Sequence, residues 1–143
     1  MARVVGIGNQ SFESIRKKDT FYIDKTAFIK EWWENEDIVT LITRPRRFGK
    51  TLNMDMLRCF FSNEYKDRGE LFEGLNIWED EKYRKIQGAY PVIFLSFAGI
   101  KGNTFELSRK QISDRIIDLY ESNRFLLKSD CISDTEKARY ISF

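Results

Sequence analysis

Two kinds of apolar pattern alternate along this chain, one spaced like a helix face and the other nearly unbroken, like a buried strand. Phe12 and Ile15, three apart within 11–18, predict a short first helix. Phe21, Tyr22 and Ile23 read as a short extended piece. Asp24 stands where a carboxylate caps a helix by accepting hydrogen bonds from its first free amides, and that helix runs to about Glu34. It is expected to bury Phe28, Ile29 and one of Trp32 and Trp33, with Lys30 and Glu31 toward water. Residues 38–43 then form an apolar, β-type run. From about 50 to 62, Leu52, Met56, Cys59 and Phe60 recur at i, i+4, i+7, i+8, the stripe of an amphipathic helix. Residues 63–87 are polar, with Leu71, Phe72, Leu75, Ile77 and Trp78 as anchors among short helical turns. The run 90–97 is again almost continuously apolar, as expected of a parallel strand covered on both faces. A loop at 98–102 precedes a helix that starts at Asn103, with Glu106 three residues on as its capping partner, and ends near Asn123. Phe105, Ile112, Ile116 and Leu119 share one of its faces, and weak helical character returns at 133–140. Gly6, Ile7 and Gly8 read as a turn.

Two buried-type strands separated by helices predict an α/β fold, a parallel sheet flanked by helices. Two strands alone do not make a stable sheet of this kind. Residues 1–143 therefore read as the opening part of one domain, truncated or completed by a partner along the open edge. Oligomerisation stays open.

The junction at 43–51 carries the chemistry. Thr43, Arg44, Pro45, Arg46, Arg47, Phe48, Gly49, Lys50 and Thr51 link the first apolar run to the amphipathic helix. Strand, tight loop ending in Gly-Lys-Thr, then helix is the arrangement that holds the phosphates of a nucleotide. Gly49 permits close backbone approach, because it has no β-carbon to block it. Lys50 is the natural point charge for the β- and γ-phosphates, and the Thr51 hydroxyl the natural Mg²⁺ ligand. Arg46 and Arg47 add charge near the phosphates or point away from them. With Phe48 and Leu52 these residues make up the expected phosphate-binding set, for ATP with Mg²⁺ as cofactors. One position departs from the P-loop pattern G-x-x-x-x-G-K-[ST]: Arg44 stands where the first glycine belongs. Pro45 holds Arg44 to an extended backbone, which continues a strand without a positive φ and leaves the turn to a different dihedral pattern.

Composition narrows the alternatives. A net charge of +2 in 143 residues gives no global reason to expect a nucleic-acid or membrane partner. Locally, Arg44, Arg46, Arg47 and Lys50 fall between Ile38 and Met54 with no Asp or Glu among them. The chain has no histidine, which excludes His-based triads and His metal sites. Cys59 and Cys131 match no metal-ligand spacing, and Cys59, in an apolar run, reads as a reduced core thiol. No apolar run reaches the length of a membrane span and the N-terminal run is too short for a signal peptide, so a cytoplasmic location is expected. P-loop ATPases also need an acid at the end of a later apolar strand, and the run 90–97 ends in Ser96-Phe97-Ala98 without one.

These residues resemble a known family. Gly6-Ile7-Gly8, Ser11-Phe12, Phe21-Tyr22-Ile23-Asp24-Lys25-Thr26, the segment from Leu41 to Asn53, Leu71-Phe72 and Tyr90-Pro91-Val92-Ile93 are similar to the predicted AAA-ATPase-like family. Its most specific signatures here are Tyr-Ile-Asp-Lys-Thr and Arg-Pro-Arg-Arg-Phe-Gly-Lys-Thr. The family carries arginine at the position of Arg44, so the resemblance makes that residue typical. It implies a P-loop ATPase module of AAA/ASCE type, commonly fused to a PD-(D/E)XK nuclease-like domain through which nucleic acid becomes a partner. In the family a later Leu-Ile-Asp-Glu-Tyr-Asp segment serves as Walker B, and this chain stops before it. The resemblance thus implies an N-terminal, nucleotide-binding part without the Walker B strand. Two competing readings remain at this level: a basic loop that binds nucleic acid through its phosphates, and an inactive truncated remnant.

Overall fold

The computed structural model describes residues 8–142, so Gly6 and Ile7 of the expected turn lie outside the described residues. Its α-helices are α1 (Phe12–Lys17), α2 (Ala27–Asn35), α3 (Lys50–Phe61), α4 (Glu81–Ile86), α5 (Phe105–Ser122) and α6 (Asp134–Ile141). Single 3₁₀ turns lie at Asn63–Tyr65, Gly69–Phe72, Asn76–Glu79 and Arg124–Lys128. The chain divides into two compact units, Met1–Val92 and Ile93–Phe143.

The expected parallel sheet is not formed. Among the described residues there is no β-strand, and one isolated parallel bridge joins Ser62 to Tyr90. Residues 38–43 belong to no strand, and Ile38, Val39 and Leu41 are 100%, 84% and 82% exposed. Ile93, Leu95 and Phe97 in the second run are exposed as well. A continuous apolar run carries β-propensity, but a strand exists only when neighbouring backbone accepts and donates its ladder hydrogen bonds. Among the described residues neither run forms a ladder beyond the single Ser62–Tyr90 bridge, and the α/β assignment gives way to a helical architecture.

The first unit is built around aromatic packing between helices. Ser11 caps α1 by accepting the Ser14 amide, and Phe12 and Ile15 point into the core as their spacing predicted. Phe12 stacks on Phe72 at 5.1 Å, and Phe60 meets the same ring edge-on, also at 5.1 Å. From α3, Met56, Cys59, Phe60 and Phe61 are buried. Each such side chain contributes about 1.5–3 kcal/mol when fully buried, so α3 is anchored firmly and its N-terminus is held in place. Ile29 is buried from α2, while Trp32 and Trp33 are half-buried and pack on Phe61. The 3₁₀ turns bring Leu71, Phe72, Leu75 and Ile77 into the same core, as their anchor positions predicted.

Past the end of α3 the backbone closes on itself. Phe60 and Phe61 carbonyls accept the Gly88 and Tyr90 amides at 2.8 and 3.0 Å, and the Asn63 amide donates to the Tyr90 carbonyl at 2.8 Å. Gly88 has φ +65°, and a β-carbon there would stand 2.3 Å from the Lys66 Cα. Only glycine fits this crossing.

In the second unit Thr104, one residue beyond the expected Asn103, caps α5 through the Leu107 amide. The weak helical signal at 133–140 becomes a complete helix because Ser133 and Glu136 form a capping box. The Tyr120 and Tyr140 rings pack at 4.7 Å, joining α5 to α6. No helix among the described residues is long and apolar enough to cross a membrane.

Candidate functional site

The loop that delivers the chain into α3 has two left-handed residues, Arg47 at φ +68° and Gly49 at φ +75°. Arg44 is not among the positive-φ residues, so the turn is made three and five positions later. For Gly49 this conformation is cheap, whereas for a residue with a β-carbon, such as Arg47, it costs roughly 1–2 kcal/mol. That strain sits in the loop itself.

Gly49 occupies the N-cap of α3, and its carbonyl accepts the Asn53 amide at 2.9 Å, the first bond of the helix. A glycine has no side chain to cap with, and the first turn contains no acidic residue. The amides of Lys50, Thr51 and Leu52 therefore start a helix without a side-chain acceptor, at the positive end of its dipole. They open on a cleft of about 650 Å³, lined on the loop side by Pro45, Arg46, Arg47, Gly49, Lys50, Thr51 and Leu52. The facing wall is Gly8, Asn9 and Gln10.

That wall is fixed to the same helix. The Phe12 amide, at the start of α1, donates to the buried Asp55 carboxylate at 2.8 Å, and Arg58 approaches the other carboxylate oxygen at 3.6 Å. Asp55 lies one turn along α3 from Thr51, so a single helix positions both the loop and the segment opposite it. The Asn9 side chain accepts the Ser11 amide and donates to the Ser14 hydroxyl, which orders the residue just before α1.

Among the described residues no carboxylate pairs with Arg44, Arg46, Arg47 or Lys50. The Lys50 ammonium instead folds back and donates to the carbonyls of Arg44 and Pro45, the latter at 3.2 Å. It bridges the two ends of its own loop. Arg46, Arg47, Phe48 and Thr51 are exposed, whereas Gly49, Lys50 and Leu52 are half-buried. Of the expected set, Phe48 is the one residue that does not line the cleft.

Several features were not read from the sequence. The Gly8–Gln10 wall meets residues thirty-five or more positions away and the Asp55 tie spans forty-three, and no local pattern marks either. Asp24 does not cap α2 in the expected way: its Oδ1 accepts the amide and hydroxyl of Thr26 at 2.8 and 2.7 Å, and Thr26 is the N-cap residue. Its Oδ2 accepts the Asn76 amide at 2.7 Å. Burial works to raise the Asp24 carboxyl, but the hydrogen bonds from Asn76 and Thr26, with the charge of Arg16, hold it below its usual range. Tyr22 belongs to the core, edge-on to Phe12 at 5.5 Å, and burial pushes its hydroxyl up to about 12. Cys59 is a free, buried thiol, raised to about 12 by burial and then by the Asp55 charge, so it is not a nucleophile at neutral pH. Among the described residues no group of three or more His, Cys, Asp or Glu side chains gathers as a metal site.

Comparison with known proteins places the chain in a family. No solved structure matches the chain. It is 31% identical over 136 residues to a protein of Azotobacter chroococcum mcd 1 described as an uncharacterized protein in the vnfD 5' region. The match takes in 94% of this chain and 24% of that relative, so the chain spans about a quarter of the relative's length. The family described as Predicted AAA-ATPase matches residues 6–141, nearly the whole sequence, and the chain belongs to that family.

Proposed function

We propose that this chain binds the phosphates of ATP, together with Mg²⁺, through the loop that runs from Arg44 to Thr51. The observation that carries the reading is a helix N-terminus without a side-chain cap, opening on a cleft whose loop cations have no acidic partner among the described residues. Membership of the predicted AAA-ATPase family agrees with it.

Each residue has a physical role in the proposal. The amides of Lys50, Thr51 and Leu52 donate to phosphate oxygens, with the dipole of α3 behind them. Lys50 exchanges two loop carbonyls for a phosphate, which is favourable because a charge-assisted bond to an anion is stronger than one to a neutral carbonyl. Arg46 and Arg47, both on the cleft, compensate the remaining charge. The residues present fit a metal–triphosphate: the Thr51 hydroxyl supplies a hard oxygen ligand, and the phosphates supply others. Bound Mg²⁺ would neutralise part of the triphosphate charge. Asp55 is unsuited as a further ligand, because its oxygens face the Phe12 amide and Arg58. The proposal covers binding; hydrolysis needs an acid to orient water, which the loop does not provide.

A fluorescent ATP analogue titrated into the full chain tests the reading. Displacement by unlabelled ATP and not by duplex DNA supports it. Displacement by DNA alone, falling steeply with salt, would overturn it in favour of nucleic-acid backbone binding.

A further inference from the structure

Within Asp24-Lys25-Thr26, the side chains of the outer two residues are engaged in the fold, whereas Lys25 takes part through its backbone, its amide donating to the Tyr22 hydroxyl at 3.4 Å and its carbonyl accepting the Phe28 amide at 3.0 Å. Asp24 ties Thr26 and the Asn76 amide, using both carboxylate oxygens. The Thr26 hydroxyl, on a residue with no solvent exposure, accepts the Ile77 amide at 3.1 Å. This clamp fixes the backbone on either side of Lys25 to a turn about fifty residues away in sequence.

Lys25 itself is exposed, and among the described residues its ammonium has no carboxylate partner. It nonetheless reaches the phosphate loop: its Nζ comes within 3.8 Å of where a β-carbon on Gly49 would stand. An ammonium placed beside a loop that already carries Arg44, Arg46, Arg47 and Lys50 adds repulsion to the free protein. Among the described residues Asp24, its sequence neighbour, forms no ion pair with it; the carboxylate oxygens accept bonds from Thr26 and the Asn76 amide instead. A bound polyanion resolves the repulsion.

We infer that Lys25 is a second binding ammonium of the proposed phosphate site, presented to the Gly49 end of the loop by the Asp24–Thr26 clamp. The inference rests on the phosphate-binding reading above and deepens it. Lys50 and Lys25 belong to different segments and approach the loop separately, so together they suit an extended chain of phosphates rather than a single one. The ligand class this selects is a nucleoside di- or triphosphate over a monophosphate.

The test is calorimetric titration of ATP, ADP and AMP into the full chain and into Lys25→Met, which keeps the aliphatic stem, and Lys25→Arg, which keeps the charge. Loss of one charge-assisted contact predicts at least about tenfold weaker ATP and ADP binding for Lys25→Met. AMP affinity should change less than about threefold, the unliganded melting temperature should not fall below that of the wild type because a like charge is removed from the loop, and Lys25→Arg should recover most of the loss. Equal ATP affinity in wild type and Lys25→Met, with affinity lost in Lys50→Ala, overturns the inference and leaves the phosphate-loop reading standing. A wild-type chain that binds no ATP sinks both. Equal weakening for ATP and AMP, or a lowered melting temperature without nucleotide, overturns the role assigned to Lys25.

Discussion

Thr26→Val probes the clamp that presents Lys25 while leaving shape almost unchanged. Both residues are β-branched with similar volume, so neither a cavity nor a new backbone preference arises. Thr26 makes no side-chain capping bond to α2, so no cap is lost. What disappears is the hydroxyl, which donates to Asp24 at 2.7 Å and accepts the buried Ile77 amide at 3.1 Å. A buried amide left without an acceptor costs about 1–3 kcal/mol, and the lost bond to a carboxylate adds about 1 kcal/mol or more. The expected destabilisation is therefore about 3 kcal/mol. Thr26→Ser keeps the hydroxyl and removes one methyl group, for about 1 kcal/mol. Urea unfolding followed by tryptophan fluorescence reads this directly, because Trp32, Trp33 and Trp78 all lie in the first unit. The midpoint should fall far more for valine than for serine, with unchanged slope. A valine variant within about 0.5 kcal/mol of wild type, or a serine variant less stable than valine, would refute the reasoning.

Two other outcomes follow from the same unit. Gly88→Ala combines a left-handed φ of +65° with a β-carbon 2.3 Å from the Lys66 Cα, so the crossing must open and strain the bonds from Gly88 and Tyr90 to α3. The cost is about 3 kcal/mol or more, and a urea midpoint equal to that of the wild type would contradict it. Asp24 makes stability fall in acid: its folded pKa lies below the ordinary value of 3.8, so its contribution is complete above about pH 4 and is lost as pH drops through the folded value. Asp24→Asn should be less stable at neutral pH and lose less between about pH 5 and pH 2.5, and an acid limb identical to that of the wild type would show that Asp24 is not its source.

The helices were legible because their signals are local. Phe12 with Ile15, and the stripe from Leu52 to Phe60, state which face is buried without reference to the rest of the chain. The same holds for the loop: Gly49-Lys50-Thr51 marked the start of α3, and Pro45 correctly kept Arg44 out of the positive-φ region. The apolar runs at 38–43 and 90–97 misled because β-structure is a property of pairs. Their composition states that they can extend, but not what would lie beside them. The clamp was half legible. Asp24 was read as a local cap, whereas its partners are Thr26 and the distant Asn76. Lys25 against Gly49 and Asp55 against the Phe12 amide join segments twenty-four and forty-three positions apart, and no periodicity encodes such contacts.

The central claim is that Lys50 and the amides around it hold the phosphates of ATP. Calorimetric titration of Mg-ATP into the wild-type chain and into Lys50→Ala tests it most directly. Lys50 projects from the first turn of α3 and its ammonium donates to the carbonyls of Arg44 and Pro45, so the variant loses those loop bonds but keeps the core packing of α3 and should still unfold cooperatively in urea. The account predicts saturable one-site binding to the wild type and at least about tenfold weaker binding to the variant. Binding of equal strength to both, or a wild-type chain that takes up no ATP, would contradict it.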